Sequence, residues 1–303
     1  MKKITIKLFA FCLPLIVLLY LIPVDKRRIY AGLDTNCSDH LIKLYDRLHS
    51  NPRPVDIVFL GTSHTMNAIE DGQIDSLLSD SSKHVLNMGY CQFGLDLYYA
   101  FLQELIKAKN PKHIIIEIRN EDDRYTHPVY AYVAGNKDVV TASLLFNPDY
   151  LKENYNHIYY KMEVLRKQFF EENNLPPVNT DNYGCLSFPD TVSSVTLENA
   201  KSKWKNDSLS PFETWFYMKF PRSYYDKIGE LCIENNIKIS FLYIPGYSEP
   251  YGRISEIETY KKYGNIMIPP DSIFQNKNYW VDENHLNKAG ARVLSAWVAT
   301  QTL

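Results

Sequence analysis

Val55-Asp56-Ile57-Val58-Phe59-Leu60-Gly61-Thr62-Ser63-His64 begins as an apolar run of strand length and breaks at a glycine followed two residues later by a serine. The run does not alternate between apolar and polar residues, so it reads as a strand covered on both faces, the habit of parallel sheets. Three more runs read the same way: His84–Met88, His113–Ile118 and Ile237–Ile244. Helical periodicity lies between them. From Leu95 to Lys109 the residues Leu95, Tyr98, Tyr99, Leu102, Leu105 and Ile106 share one face, and Asn110-Pro111 ends the helix. Pro221 opens another to about Asn235, with Tyr224, Ile228, Leu231 and Cys232 inward. Strands separated by helices predict an α/β fold, a doubly wound and mainly parallel sheet between two helical layers. Such sheets bind ligands beyond the carboxyl ends of their strands. Ser63 falls at one of those ends.

Far along the chain stands Tyr279-Trp280-Val281-Asp282-Glu283-Asn284-His285-Leu286-Asn287-Lys288-Ala289-Gly290. Asn287 suits a helix N-cap, and Ala289, Val293, Ala296, Trp297 and Thr300 then form one expected inward face. Asp282 and His285 are thereby placed in the loop before a rigid element, where reactive groups often sit. Serine is a poor nucleophile alone. It needs an imidazole to take its proton, and the imidazole needs a carboxylate to fix its tautomer and stabilise its cation. Singly, Ser63 could cap the helix after its strand and Asp282 could cap the turn before His285. Together, in this order and at these places, Ser63, Asp282 and His285 form a candidate catalytic triad. His64 is expected to be an exposed neighbour, and no spacing of ligands marks a metal site.

The segments 55–64 and 279–290 resemble the first and last sequence blocks of the SGNH (GDSL-like) hydrolase superfamily. They are most similar to its membrane-anchored subset, which includes the D-alanine transfer protein of lipoteichoic acid synthesis and the alginate O-acetylation proteins. The resemblance spans roughly 55–120 and 237–300. It implies Ser63 as nucleophile, His285 as general base and Asp282 as its orienting carboxylate, with no cofactor. Two blocks depart from the family pattern. Asn87-Met88-Gly89-Tyr90-Cys91-Gln92 has glutamine where the family has a second glycine whose amide serves the oxyanion hole, which leaves the backbone N–H of Gln92 for that role. Ile118-Arg119-Asn120-Glu121 shifts the family's third-block asparagine by one position, making Asn120 the corresponding side-chain donor. Arg119 and Glu121 suit either a salt bridge at the sheet edge or substrate contact.

The rest of the chain sets the context. Its 303 residues, 45% hydrophobic, suffice for one large α/β domain with an appendage. Thirty-three Lys+Arg against 35 Asp+Glu leave no electrostatic basis for a nucleic-acid partner. Leu8 to Val24 is uncharged and mainly apolar, follows Lys2, Lys3 and Lys7, and is succeeded by no small-x-small cleavage site, since Ile29 stands two residues before Ala31. It reads as an uncleaved, single-pass signal anchor that places the remainder outside the cytoplasm. Of the five cysteines, Cys37, Cys91, Cys185 and Cys232 could pair in an oxidising compartment, without a connectivity legible from spacing. Cys91 is expected to be a small buried hydrophobe.

The expected organisation is an anchor at 1–28, a stalk and first helix (Asp39–Leu48) within 29–54, and an α/β domain at 55–303. That domain carries an insertion at about 121–220, in which Tyr150–Glu172 reads as helix and Asn173–Asn182 and Phe188–Val192 as loop. The expected activity is that of a serine esterase or O-acyltransferase working through an acyl-serine on acyl groups of a cell-surface glycan. Its partners would be the acylated glycan or acyl donor and a membrane-bound O-acyltransferase. The competing class is a non-catalytic accessory subunit that docks such an acyltransferase through the insertion.

Overall fold

The computed structural model describes residues 2–33, 37–80, 82–119, 126–142, 145–171, 175–203, 210–247, 249–252, 254 and 257–301. Five strands form one sheet: β1 (Ile57–Leu60), β2 (Val85–Asn87), β3 (His113–Ile118), β4 (Lys238–Tyr243) and β5 (Asn265–Met267). Their spatial order is β2-β1-β3-β4-β5 and every pairing is parallel. The direction of winding reverses between β1 and β3, the place where doubly wound sheets open a crevice beyond their strand ends. The three-layer expectation holds. The fifth strand was not legible in the sequence, because it is a three-residue edge strand that is only partly buried.

Alternate residues of the strands feed two cores. Val58, Leu60, Ile114, Ile116, Ile118, Phe241 and Tyr243 meet one helical layer, built on α2 (Lys26–Ala31), α3 (Ser38–His49), α6 (Leu95–Ala108) and α12 (Lys219–Glu234), while α1 (Lys2–Leu21) packs against α9 (Tyr150–Phe170). Ile57, Phe59, Ile115 and Leu242 meet the other, with α4 (Ser63–Ala68), α5 (Asp71–Leu77), α14 (Asp271–Gln275) and α15 (Lys288–Ala299). Between β3 and β4 run α7 (Tyr130–Val133), α8 (Asn136–Val140), α9 (Tyr150–Phe170), α10 (Ser194–Lys203) and α11 (Pro211–Tyr217); α13 (Ile257–Tyr263) precedes β5.

One expectation about helices is corrected. The inward face of α15 is Gly290, Ala291, Leu294, Ser295 and Val298, not the stripe through Ala289, Val293 and Trp297. A polar residue hides the true stripe: Ser295 Oγ accepts from Glu70 N at 2.8 Å and donates to Ala68 O at 3.3 Å. The expected anchor falls largely on α1, some of whose side chains lie outside the described residues. Among the described residues no helix is long and apolar enough to cross a membrane.

Cys37 and Cys91, two of the four cysteines expected to be able to pair, form a disulfide, so Cys91 is not the small buried hydrophobe expected. The bond ties the start of α3 to the loop after β2 across a sequence separation of 54. A crosslink that removes this much freedom from the unfolded chain contributes about 2–4 kcal/mol. Cys37→Ser should lose that amount in denaturant unfolding under non-reducing conditions, and a reductant should erase the difference from wild type.

Candidate active site

β1 delivers the chain to the sheet's carboxyl edge, where Gly61 and Thr62 turn it into α4. Thr62, not Ser63, is the N-cap: its Oγ1 accepts from His64 N at 3.0 Å. The capping duty that could have explained the serine is thus taken by its neighbour, and the Ser63 hydroxyl is left for other partners. It lies 2.7 Å from His285 Nε2. Asn87 steadies the turn from β2, donating to Thr65 O at 2.8 Å and Ile69 O at 2.7 Å while accepting from Gly89 N at 2.8 Å.

His285 and Asp282 occupy a tight hairpin before α15. Val281 N donates to His285 O at 3.0 Å, Trp280 bridges Leu286, and Asn287 caps α15 through Ala289 N and Gly290 N. The Asp282 carboxylate reaches His285 Nδ1 at 2.8 Å from Oδ2 and 3.0 Å from Oδ1. Oδ1 also accepts from the backbone of Asn284 and His285, each at 2.8 Å. Asp282 therefore caps the turn and orients the imidazole as well. Partial burial works to raise this carboxyl, but the bonds from the His285 ring and the two amides outweigh it and hold it below the ordinary aspartate value. A carboxylate on Nδ1 leaves Nε2 as the nitrogen that can take a proton from Ser63.

His64 is buried, contrary to expectation, and packs edge-on against His285 with ring centroids 5.3 Å apart. Burial, reinforced by the nearby Arg119 and His285, pushes it well below the ordinary histidine value. A neutral ring there does not repel positive charge arising on His285. Arg119 pairs with Glu249 at 2.9 Å. Glu121 and Asn120, the latter the expected side-chain oxyanion donor, lie outside the described residues. Gln92 has φ +67°, a left-handed conformation that glycine adopts at no cost. The glutamine thus holds a backbone shape that suits glycine. Its loop is fixed by the disulfide at Cys91 and by His127 Nε2 against Cys91 O at 2.7 Å.

Sequence reading missed two supports. The first is Glu117 on β3, which accepts from the backbone and hydroxyl groups of Thr62 and Thr65. The second is an extended strap, 176–192, inside the insertion. It starts on α3, where Asn179 N donates to Asp46 at 2.9 Å, and crosses α5, where Gly184 N donates to Asp71 Oδ2 at 2.6 Å. Leu186 N then meets Met66 O at 2.9 Å. Finally Lys288 N donates to Phe188 O at 2.6 Å and Val192 N to Trp280 O at 2.9 Å. The strap thereby joins the serine turn to the Asp-His hairpin from behind. No motif announces it, because most of its hydrogen bonds use its backbone.

Asp71 under the strap is fully buried, and burial raises its carboxyl to about 6 in spite of amide bonds from Asn87, Gly184 and Cys185. Between the ordinary value of 3.8 and about 6 the folded chain retains a proton that the unfolded chain releases. This group's contribution to stability is therefore fully present below pH 3.8 and lost as pH rises through about 6. In Asp71→Asn that component of the pH slope should vanish from denaturant midpoints measured between pH 4 and 7.

No family model matches the sequence, and no curated protein matches it. Among solved structures, one from Streptococcus pneumonia, provisionally described as a platelet activating factor, matches with 14% identity over 84% of this chain and 87% of that one. The TM-score is 0.30, too low to define a shared fold.

Proposed function

We propose that this chain is a serine esterase or O-acyltransferase of the SGNH type, acting outside the cytoplasm on acyl groups of a surface glycan and held to the membrane by its N-terminal helix. The observation that carries the reading is the continuous relay from Ser63 Oγ to His285 Nε2 at 2.7 Å and from His285 Nδ1 to Asp282 at 2.8 Å. It joins groups 222 residues apart in sequence, a coincidence hard to attribute to packing.

In this mechanism Ser63 Oγ attacks the acyl carbonyl as its proton passes to His285 Nε2, and Asp282 stabilises the imidazolium. Negative charge collects on the carbonyl oxygen. The amides of Thr62 and Thr65 are committed to Glu117 and that of His64 to Thr62, whereas the Ser63 amide has no partner among the described residues. It is the donor best placed beside its own hydroxyl, with the Gln92 amide as the second. Collapse expels the alcohol, which takes the proton back from His285 and leaves acyl-Ser63. Water or a sugar hydroxyl, deprotonated by the same imidazole, then releases the acyl group. The side chains of Asp282 and His285 are 44% and 24% exposed, an open placement that suits an acyl group carried on a polymer. Transfer from a membrane-bound O-acyltransferase is favoured over scavenging of free esters, because a tethered donor raises local concentration.

Fluorophosphonate labelling of purified protein tests the reading directly, since only an activated serine reacts. An unlabelled wild type would favour the accessory-subunit class. In cells, loss of Ser63 should lower the acyl content of a surface polysaccharide; a rise would reverse the direction to de-acylation. The location is checked separately. The chain should remain with membranes after a carbonate wash, and release of a shortened soluble form would show a cleaved signal instead.

A further inference from the structure

We propose that Glu117 is the positioning residue of the nucleophile, a buried carboxylate that holds the Ser63 turn by both of its flanking threonines. The assignment rests on the acyl-serine reading and deepens it. Glu117 lies in the otherwise apolar strand His-Ile-Ile-Ile-Glu-Ile, opposite Leu242 of β4, and is 1% exposed. An ionised carboxylate in such a place costs several kcal/mol unless its oxygens are saturated. No lysine, arginine or histidine pairs with it among the described residues.

Its partners all come from one turn. Oε2 accepts from Thr62 N at 2.8 Å, Thr65 N at 3.0 Å and Thr65 Oγ1 at 2.7 Å, and Oε1 accepts from Thr62 Oγ1 at 2.8 Å. The charge is balanced by the amides and hydroxyls that open α4 instead of by a cation. Gly61 makes the approach possible. A Cβ there would stand 2.5 Å from Glu117 Oε2 and 2.0 Å from Thr65 Oγ1. Gly61, Thr62 and Thr65 are thus the complement of Glu117, with Ser63 suspended between the two clasped residues.

A helix of six residues has little stability of its own, so its first turn would fray without an external tie. Ser63 must nevertheless meet His285 within a few tenths of an ångström. Because β1 pairs with β3 along its whole length, Glu117 refers the serine to the most rigid part of the molecule. The same clasp decides which first-turn amide stays unspent, since it uses those of Thr62 and Thr65 and leaves that of Ser63.

The test compares Glu117→Ala, Glu117→Gln and Thr65→Val with wild type, using fluorophosphonate acylation rate, kcat and KM for an acetyl ester, and Tm. Misplacing a reacting group by about an ångström costs on the order of 100-fold, so E117A should lower kcat and acylation rate by about that factor with KM within about twofold. In E117Q the amide oxygen can replace Oε2 and its NH2 can donate to Thr62 Oγ1, so the rate should recover to within about tenfold of wild type. T65V removes a single bond and should cost about three- to tenfold. It supplies the readout if E117A fails to fold. Folded E117A or T65V reacting at the wild-type rate, or no recovery of glutamine over alanine, would overturn the assignment alone. An unreactive wild type would overturn the acyl-serine reading and this assignment with it.

Discussion

Ser63→Ala and His285→Ala should each lower turnover of a simple acetyl ester by about 10⁴-fold or more, and each should abolish fluorophosphonate labelling. Either change removes the nucleophile or the base in contact with it, and groups that act as a unit fail together: the double variant should be no slower than the worse single one. Tm should barely move. Ser63 Oγ is joined to His285 while capping is done by Thr62, so its loss leaves the start of α4 intact. Asp282→Ala is predicted to be different in kind, because Oδ1 also holds the amides of Asn284 and His285. It should lose activity and loosen the hairpin, whereas Asp282→Asn should lose activity mainly through the wrong imidazole tautomer. Equal turnover in wild type, S63A and H285A would remove the enzyme reading.

Gly184→Ala carries the largest expected effect on stability. A Cβ at this position would lie 1.7 Å from Asn87 O, and that oxygen belongs to the backbone at the end of β2, which cannot swing aside. Either the strap lifts and breaks its bonds to Asp71 and Met66, or the sheet edge distorts. We expect a loss of about 3 kcal/mol or more, seen as a fall in Tm of roughly 6–12 °C. Gly135→Ala is the control: its nearest neighbour is the mobile end of Asp138 at 3.1 Å, and it should cost about 1 kcal/mol or less. Because the strap reaches both halves of the site, G184A should also slow acylation in protein that remains folded. Wild-type stability in G184A would show that the strap is held less firmly than its hydrogen bonds indicate.

Much of the framework was legible because it is written in long apolar runs. The strands from Ile57, Val85, His113 and Lys238 and the helices from Leu95, Tyr150 and Lys219 announce themselves by length and period. The triad was legible because its three side chains sit next to glycine, turn and cap signals. What escaped reading has a common physical character. Glu117 looks like an interruption in an apolar strand, and its purpose appears only when the threonines from β1's end arrive above it. The strap works mostly through backbone groups, which every residue has, so its sequence is not distinctive. The Cys37–Cys91 bond depends on a meeting of α3 with the loop after β2, and spacing alone does not report that. The face of α15 was misread because Ser295 is polar yet turned inward to serve backbone groups of the serine segment.

The strand order also has a consequence for how the chain comes into being. Three adjacent strands, β2-β1-β3, are complete once Ile118 has been made, yet β4, which covers the far side of β3, begins only at Lys238. Roughly 120 residues must be synthesised in that interval, about 6–24 s at ordinary elongation rates. Throughout it the open edge of a newborn half-sheet is β3, with Ile114-Ile115-Ile116 at its centre, an apolar strand ready to recruit a strand from any other chain. A cell making this protein quickly would need a chaperone to occupy that edge, and overproduction should yield aggregates seeded at β3, protected there from proteolysis before any other segment.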